Sequence, residues 1–114
     1  MIRTAIVALA AGIAFTGTAI AAEPIVGTWK RPNGTLIRYA ASGGQFCGTV
    51  LTGEYKNQSI GCMSGSGANY EGKVNKLDEG RTYRGKATVN GNTLLLEGCA
   101  LGGLICKGEN LTRQ

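Results

Sequence analysis

The feature that most limits what this chain can become is the rhythm of its turn-forming clusters. Pro32-Asn33-Gly34, Ser42-Gly43-Gly44, Ser64-Gly65-Ser66-Gly67, Asp78-Glu79-Gly80, Asn90-Gly91-Asn92 and Gly102-Gly103 each supply a Gly or Asn that tolerates positive φ, as tight hairpins require. The intervals between them hold runs of about 5–9 residues with strand character. Strands are expected near 25–30, 35–40, 45–52, 59–63, 69–77, 82–89, 93–99 and 104–112. The clearest is Thr82–Val89, where Tyr83, Gly85, Ala87 and Val89 share one face and Thr82, Arg84, Lys86 and Thr88 the other. That alternation is a strand with one dry and one wet side.

Past the N-terminal stretch, no segment repeats apolar residues at i, i+3, i+4 and i+7 for three turns, and glycine, which helices tolerate badly, is spread throughout. The fold class is therefore all-β with minimal helix. About eight short strands joined by hairpins leave unpaired edges unless the sheet closes, so a small up-and-down antiparallel β-barrel is the natural solution. Gly48, Gly72, Gly85 and Gly98 fall inside strands, where a small barrel bends sharply. A two-sheet sandwich with the same meander order is the runner-up.

At the N-terminus, Arg3 precedes an apolar run from Ala5 to Phe15, and Ala19-Ile20-Ala21 closes it with a small-x-small pattern. This is the layout of a cleaved secretory signal. The run is rich in Ala and Gly, unlike the roughly 20 strongly apolar residues of a membrane span. The expectation is a signal peptide over 1–21 and one domain over 22–114, periplasmic or secreted, with no stable membrane anchor after cleavage. Without Arg3 the formal charge falls from +5 to +4. The basic residues Lys56, Lys73, Lys76, Arg81, Arg84 and Lys86 are single and interleaved with Glu71, Asp78 and Glu79. That reads as a solvated surface and not as a nucleic-acid patch.

The four cysteines, Cys47, Cys62, Cys99 and Cys106, form an even set in a small exported domain, which implies disulfides. Three pairings are open from sequence. Cys47–Cys62 with Cys99–Cys106 is preferred, because a short strand-turn-strand segment separates each couple. Chain entropy assigns about 3 kcal/mol to the first loop and about 2.5 to the second. A zinc site would need four thiolates at irregular spacing, with no histidine in the chain, and is disfavoured.

Gly27-Thr28-Trp29 opens the first expected strand, and Arg113 lies near the end of the last. This pattern resembles the Gly-x-Trp signature of the calycin group, which includes lipocalins, fatty-acid-binding proteins, avidins and bacterial metalloprotease inhibitors. The resemblance implies that Gly27, Trp29 and Arg113 close one barrel end, with the guanidinium over the indole, a contact of about 0.5–2 kcal/mol. Four further stretches are similar to a narrower exported bacterial family catalogued as domain of unknown function 2147. They are Pro24–Trp29, Phe46-Cys47-Gly48, Arg81–Lys86 and the tail from Gly98 to Arg113. That resemblance implies a lipocalin-like barrel of no established activity. Thr52–Met63 is shorter than is usual in the family, and Leu111 stands where an aromatic is common.

Function is read by elimination. The chain has no histidine, the commonest general base, and its cysteines are better used as disulfides than as nucleophiles. Catalysis is not expected, and no cofactor is implied. Binding of a small apolar or amphipathic ligand in the barrel is the first hypothesis, with Tyr83, Ala87, Val89, Leu94 and Leu96 as candidate lining. An eight-stranded barrel is just wide enough for side chains to fill or for one small ligand to occupy. The second is an interaction module or hydrolase inhibitor, bound to an exported protein through Ala22-Glu23-Pro24-Ile25. A structural envelope role is a third. A barrel that closes incompletely would also leave an edge for dimerisation.

Overall fold

A computed structural model describes residues 23–114; the expected signal over 1–21 lies outside the described residues. Eight antiparallel strands follow one another in a meander. They are β1 (Gly27–Lys30), β2 (Leu36–Ser42), β3 (Gln45–Val50), β4 (Ser59–Ser66), β5 (Asn69–Lys76), β6 (Arg81–Asn90), β7 (Thr93–Ala100) and β8 (Ile105–Arg113). Each pairs with its neighbour and β1 pairs with β8, so the sheet is a closed barrel and not a sandwich. The only helical element among the described residues is a single 3-10 turn at Leu101–Gly103.

Alternation decides which side chains turn inward. In β6, Gly85, Ala87 and Val89 are buried while Arg84, Lys86 and Asn90 are exposed. Trp29, Ile37, Tyr39, Val50, Ile60, Met63, Tyr70, Leu94, Leu96 and Leu111 join Ala87 and Val89 in one core. No charged or polar residue is buried among the described residues. The inward glycines make room for this set. A methyl group on Gly48 would meet Ile60 and the Tyr39 ring at 2.6–3.0 Å, and one on Gly85 would meet Met63 and Val74 at 2.7 Å.

The run Ser64-Gly65-Ser66-Gly67 is not a turn as a whole. β4 continues through Ser66, and only Gly67-Ala68 makes the hairpin. At Gly65 the glycine serves a close approach, since φ is +148° and a Cβ there would lie 2.3 Å from the Asn69 carbonyl oxygen.

Both disulfides take the preferred pairing, Cys47–Cys62 and Cys99–Cys106. Each joins directly opposed residues of neighbouring strands. The first sits on the face opposite the buried Gly48 and Val50. The bonds therefore clasp the wall of the barrel and leave its centre to apolar side chains.

Closure is lopsided. β7 and β8 pair over eight rungs, from Thr93↔Thr112 to Ala100↔Ile105. β1 pairs with β8 only at Trp29↔Arg113 and Lys30↔Thr112. The far part of the β7–β8 hairpin thus rises above the β1 seam at one end of the barrel. That end also carries the β1–β2, β3–β4 and β5–β6 connections, and the opposite end carries the entering segment before β1.

Candidate functional site

The interior is the first place to look for a site. Ala87, Val89, Leu94 and Leu96 are at most 8% exposed and belong to the same core as Trp29, Met63 and Tyr70. These four are brought together, packed against large side chains. Tyr83 is not in that cluster. It is half-buried at the rim, where its hydroxyl donates to Glu79 Oε1 at 2.6 Å. This bond holds the Glu79 carboxyl below the usual carboxylate range and the Tyr83 phenol above its ordinary value.

The end of the barrel at which the chain enters is sealed by its own backbone and side chains. The Arg113 guanidinium lies 4.2 Å from the centre of the Trp29 ring. It also donates to the Pro24 carbonyl at 2.8 Å and the Val26 carbonyl at 3.3 Å. Gly27 is needed beside it, because a Cβ there would sit 3.0 Å from Arg113 Nη1. Trp29 Nε1 donates to the Ile25 carbonyl at 2.9 Å, and Ile25 itself is fully buried. The Glu23 carboxylate accepts from the Gly67 amide at 2.8 Å and from the Tyr70 hydroxyl at 3.1 Å. Partial burial and then the Glu23 contact raise the Tyr70 phenol. Glu23–Ile25 is thus the floor of the barrel and not a loose lead-in.

The opposite end is different. The largest exposed apolar side chains among the described residues are Leu101 (69% exposed), Leu104 (86%) and Ile105 (49%), all at the tip of the β7–β8 hairpin. Leu101 adopts φ +52° and Gly102 φ +66°, which folds the tip into a compact turn closed by Leu104 N–H to Leu101 O at 3.2 Å. Immediately below it, the Cys99–Cys106 bond staples the two strands. The register makes a row across four strands, with Cys106 opposite Cys99, Cys99 opposite Arg84, and Arg84 opposite Lys73. Lys73 and Arg84 are both exposed. With Glu71, Gly72, Thr82 and Tyr83 they line an open groove of about 410 Å³.

Two cations at this end hold carboxylates, and most of the basic residues pair with none among the described residues. Arg31 holds Glu109 through both carboxylate oxygens, with Nη2 to Oε2 at 3.3 Å. Lys76 meets Asp78 at 3.0 Å and Glu79 at 3.5 Å, and its ammonium draws the Asp78 carboxyl below its usual range. Lys73 and Arg84 have no such carboxylate partner among the described residues. Sequence reasoning missed the tip and the basic row. The available signal was the segment from Gly98 to Gly108, whose single charged residue is Lys107 and which carries three large aliphatics.

The model of a bacterial family described as "Uncharacterized protein conserved in bacteria (DUF2147)" matches residues 27–113, from the Gly of the closure triad to its Arg. The chain belongs to this family. In DUF2147 terms, the match takes in the whole barrel, both disulfides and the projecting hairpin. No curated protein and no solved structure matches the chain.

Proposed function

We propose that this DUF2147 protein is an exported, non-catalytic binding module that works through the rim of its barrel and uses the interior as a core. One observation carries the reading. The largest exposed aliphatic side chains among the described residues stand together on a disulfide-stapled hairpin, whereas Ala87, Val89, Leu94 and Leu96 are packed into one cluster. Exposed aliphatics gathered in a patch mark an interaction surface more often than a chance of composition. Two disulfides in a small domain support an oxidising compartment, in line with the signal expected over 1–21. The stack of Arg113 on Trp29 supports kinship with the calycin group.

The chemistry available supports a non-catalytic role. The chain lacks histidine, its cysteines are disulfide-bonded, and Glu109, Asp78 and Glu79 face cations. The alternative of a hydrolase inhibitor acting through its N-terminal segment finds less support, since Ile25 is fully buried and Glu23 is committed to Gly67 and Tyr70.

Titration with an environment-sensitive apolar dye, competed by fatty acids, tests the reading in the wild type and in Leu104→Ser/Ile105→Ser. The expected result is weak dye binding that the double substitution removes. A saturable single site that persists in the variant and is displaced by fatty acid would place the ligand inside the barrel.

A further inference from the structure

The chemistry around the tip identifies the partner that the rim fits. From Leu101 to Ile105 there is no charged residue and no polar side chain. The tip pairs with neither neighbour, because β6 pairs with β7 only as far as Arg84↔Cys99 and β1 meets β8 only at its base, while the β5–β6 hairpin runs on at the same end to Lys76↔Arg81. Leu104 lies two residue steps from the stapling Cys106, with only Ile105 between them, so the apolar part projects about 7 Å beyond the disulfide at a strand rise of about 3.3 Å per residue. This is the depth to which amphipathic elements enter the interfacial layer of a bilayer, about 5–10 Å.

Cations occupy the level behind it. Lys73 and Arg84 form the row that continues from the disulfide, and Lys107 lies on β8 opposite Gly98. All three are exposed. Arg84 reaches round to the tip, its Nη1 lying 4.0 Å from the Cβ position of Gly103. The groove between Lys73 and Arg84 is lined also by Glu71, Gly72, Thr82 and Tyr83; the Thr82 hydroxyl is committed to Asn75 Oδ1 at 2.8 Å, so the donors it offers at this level are the two cations. An apolar point backed by cations complements a surface that is apolar within and anionic at its boundary.

We propose that the β7–β8 tip docks on anionic phospholipid bilayers. Leu101, Leu104 and Ile105 enter the interface, and Lys73, Arg84 and Lys107 meet the phosphate headgroups. This rests on the reading of the rim as the working surface and names what that surface binds. The staple serves the docking by holding the three aliphatics on a short rigid turn, so little chain freedom is lost on contact. Docking is reversible and salt-dependent, as expected for a small apolar insertion assisted by a few charges.

The test is co-sedimentation of the full mature protein with vesicles of mixed phosphatidylglycerol and phosphatidylcholine, against pure phosphatidylcholine. Binding is expected to the mixed vesicles only, and to fall at high salt. Leu104→Ser/Ile105→Ser is expected to weaken it by about tenfold or more, given the area withdrawn. Lys73→Gln/Arg84→Gln is expected to weaken it by about 25-fold, with each cation near an anionic surface contributing about fivefold. Retained Trp29 emission and melting temperature confirm that the variants fold. As a direct reading, the added emission of Leu104→Trp should be quenched by brominated lipid chains.

Equal binding to neutral and anionic vesicles, no binding to either, or wild-type binding by the tip variant each overturns the proposal. Absent vesicle binding with dye binding still lost in the tip variant overturns the lipid partner and leaves the rim. A fatty-acid site that survives the tip substitutions overturns the rim reading itself.

Discussion

Tyr39 offers the sharpest test of how the barrel interior is built. Its side chain is fully buried, and its hydroxyl has no hydrogen-bond partner among the described residues. The ring lies over Gly48 and beside Ile60, so the polar atom is enclosed by apolar groups. A buried donor left unsatisfied costs about 1–3 kcal/mol. Tyr39→Phe removes that group and keeps the ring. It is expected to raise the stability by about 1 kcal/mol or more at neutral pH, a rise in Tm of about 4–8 °C per kcal/mol for a domain of this size.

The alkaline limb adds an independent check. Burial holds the Tyr39 phenol well above its ordinary value, so the folded state keeps a proton that the unfolded chain releases near pH 10. This contribution is fully present below about pH 10 and is lost as the pH rises above it. The gap between Tyr39→Phe and wild type should therefore widen in alkali, by up to about 1.4 kcal/mol per pH unit. Urea unfolding followed by the single tryptophan, at neutral pH and above pH 10, measures both effects. A variant less stable than wild type at neutral pH, or a gap that stays constant in alkali, would mean that the Tyr39 hydroxyl is satisfied in the folded state.

Other substitutions probe the wall and the seal. Gly72→Ala would set a Cβ 2.2 Å from the Cys62 carbonyl oxygen and 2.7 Å from Met63 Cα. Both are backbone atoms that cannot yield, so a loss of about 3 kcal/mol or more is expected in denaturant unfolding. Replacing Cys47 and Cys62 together by Ala should cost about 3 kcal/mol, and Cys99 with Cys106 about 2.4 kcal/mol, from the loops of 15 and 7 residues they close. The second pair should in addition loosen the tip, seen as faster amide exchange at 101–105. Arg113→Met removes the guanidinium from the Trp29 face and from two carbonyls. It should cost about 1–3 kcal/mol and shift Trp29 emission to longer wavelength, and Arg113→Lys should restore only part.

The strands and the staples were legible because they rest on local rules. Alternation in Thr82–Val89 and glycine-bearing turns fix where strands begin and end, and the strands nearest each cysteine couple place its members opposite one another. Ser64–Gly67 misled because glycine has two uses that share one letter. It bends a chain at positive φ in a turn, and inside a strand it lets a neighbouring backbone come close, as Gly65 does with Asn69. Whether Ala87, Val89, Leu94 and Leu96 enclose space or fill it was not legible, since that depends on what Tyr39, Met63 and Trp29 do from other strands.

The surface features were hidden for a similar reason. Lys73 and Arg84 lie eleven positions apart and look like scattered charge, but the β5–β6 register sets them face to face. Leu101, Leu104 and Ile105 would be core residues in most strands. They are exposed because β8 outruns the two-rung seam with β1, and seam length is a property of the closed sheet. From the sequence, Ala22-Glu23-Pro24-Ile25 reads as a segment free to bind a partner, because the groups that hold Glu23 and Pro24, in Gly67, Tyr70 and Arg113, are more than forty positions away.

A protein that meets its partner at the β7–β8 tip and keeps its interior as a core should touch lipid with the tip alone. Methyl-resolved NMR with spin-labelled lipid in anionic bilayer discs addresses this directly. Paramagnetic broadening is expected at Leu101, Leu104 and Ile105, with Val89, Leu94, Leu96 and Ile25 unaffected. Broadening centred on the core methyls or on the Ile25 end, or none at all, would contradict docking at the tip.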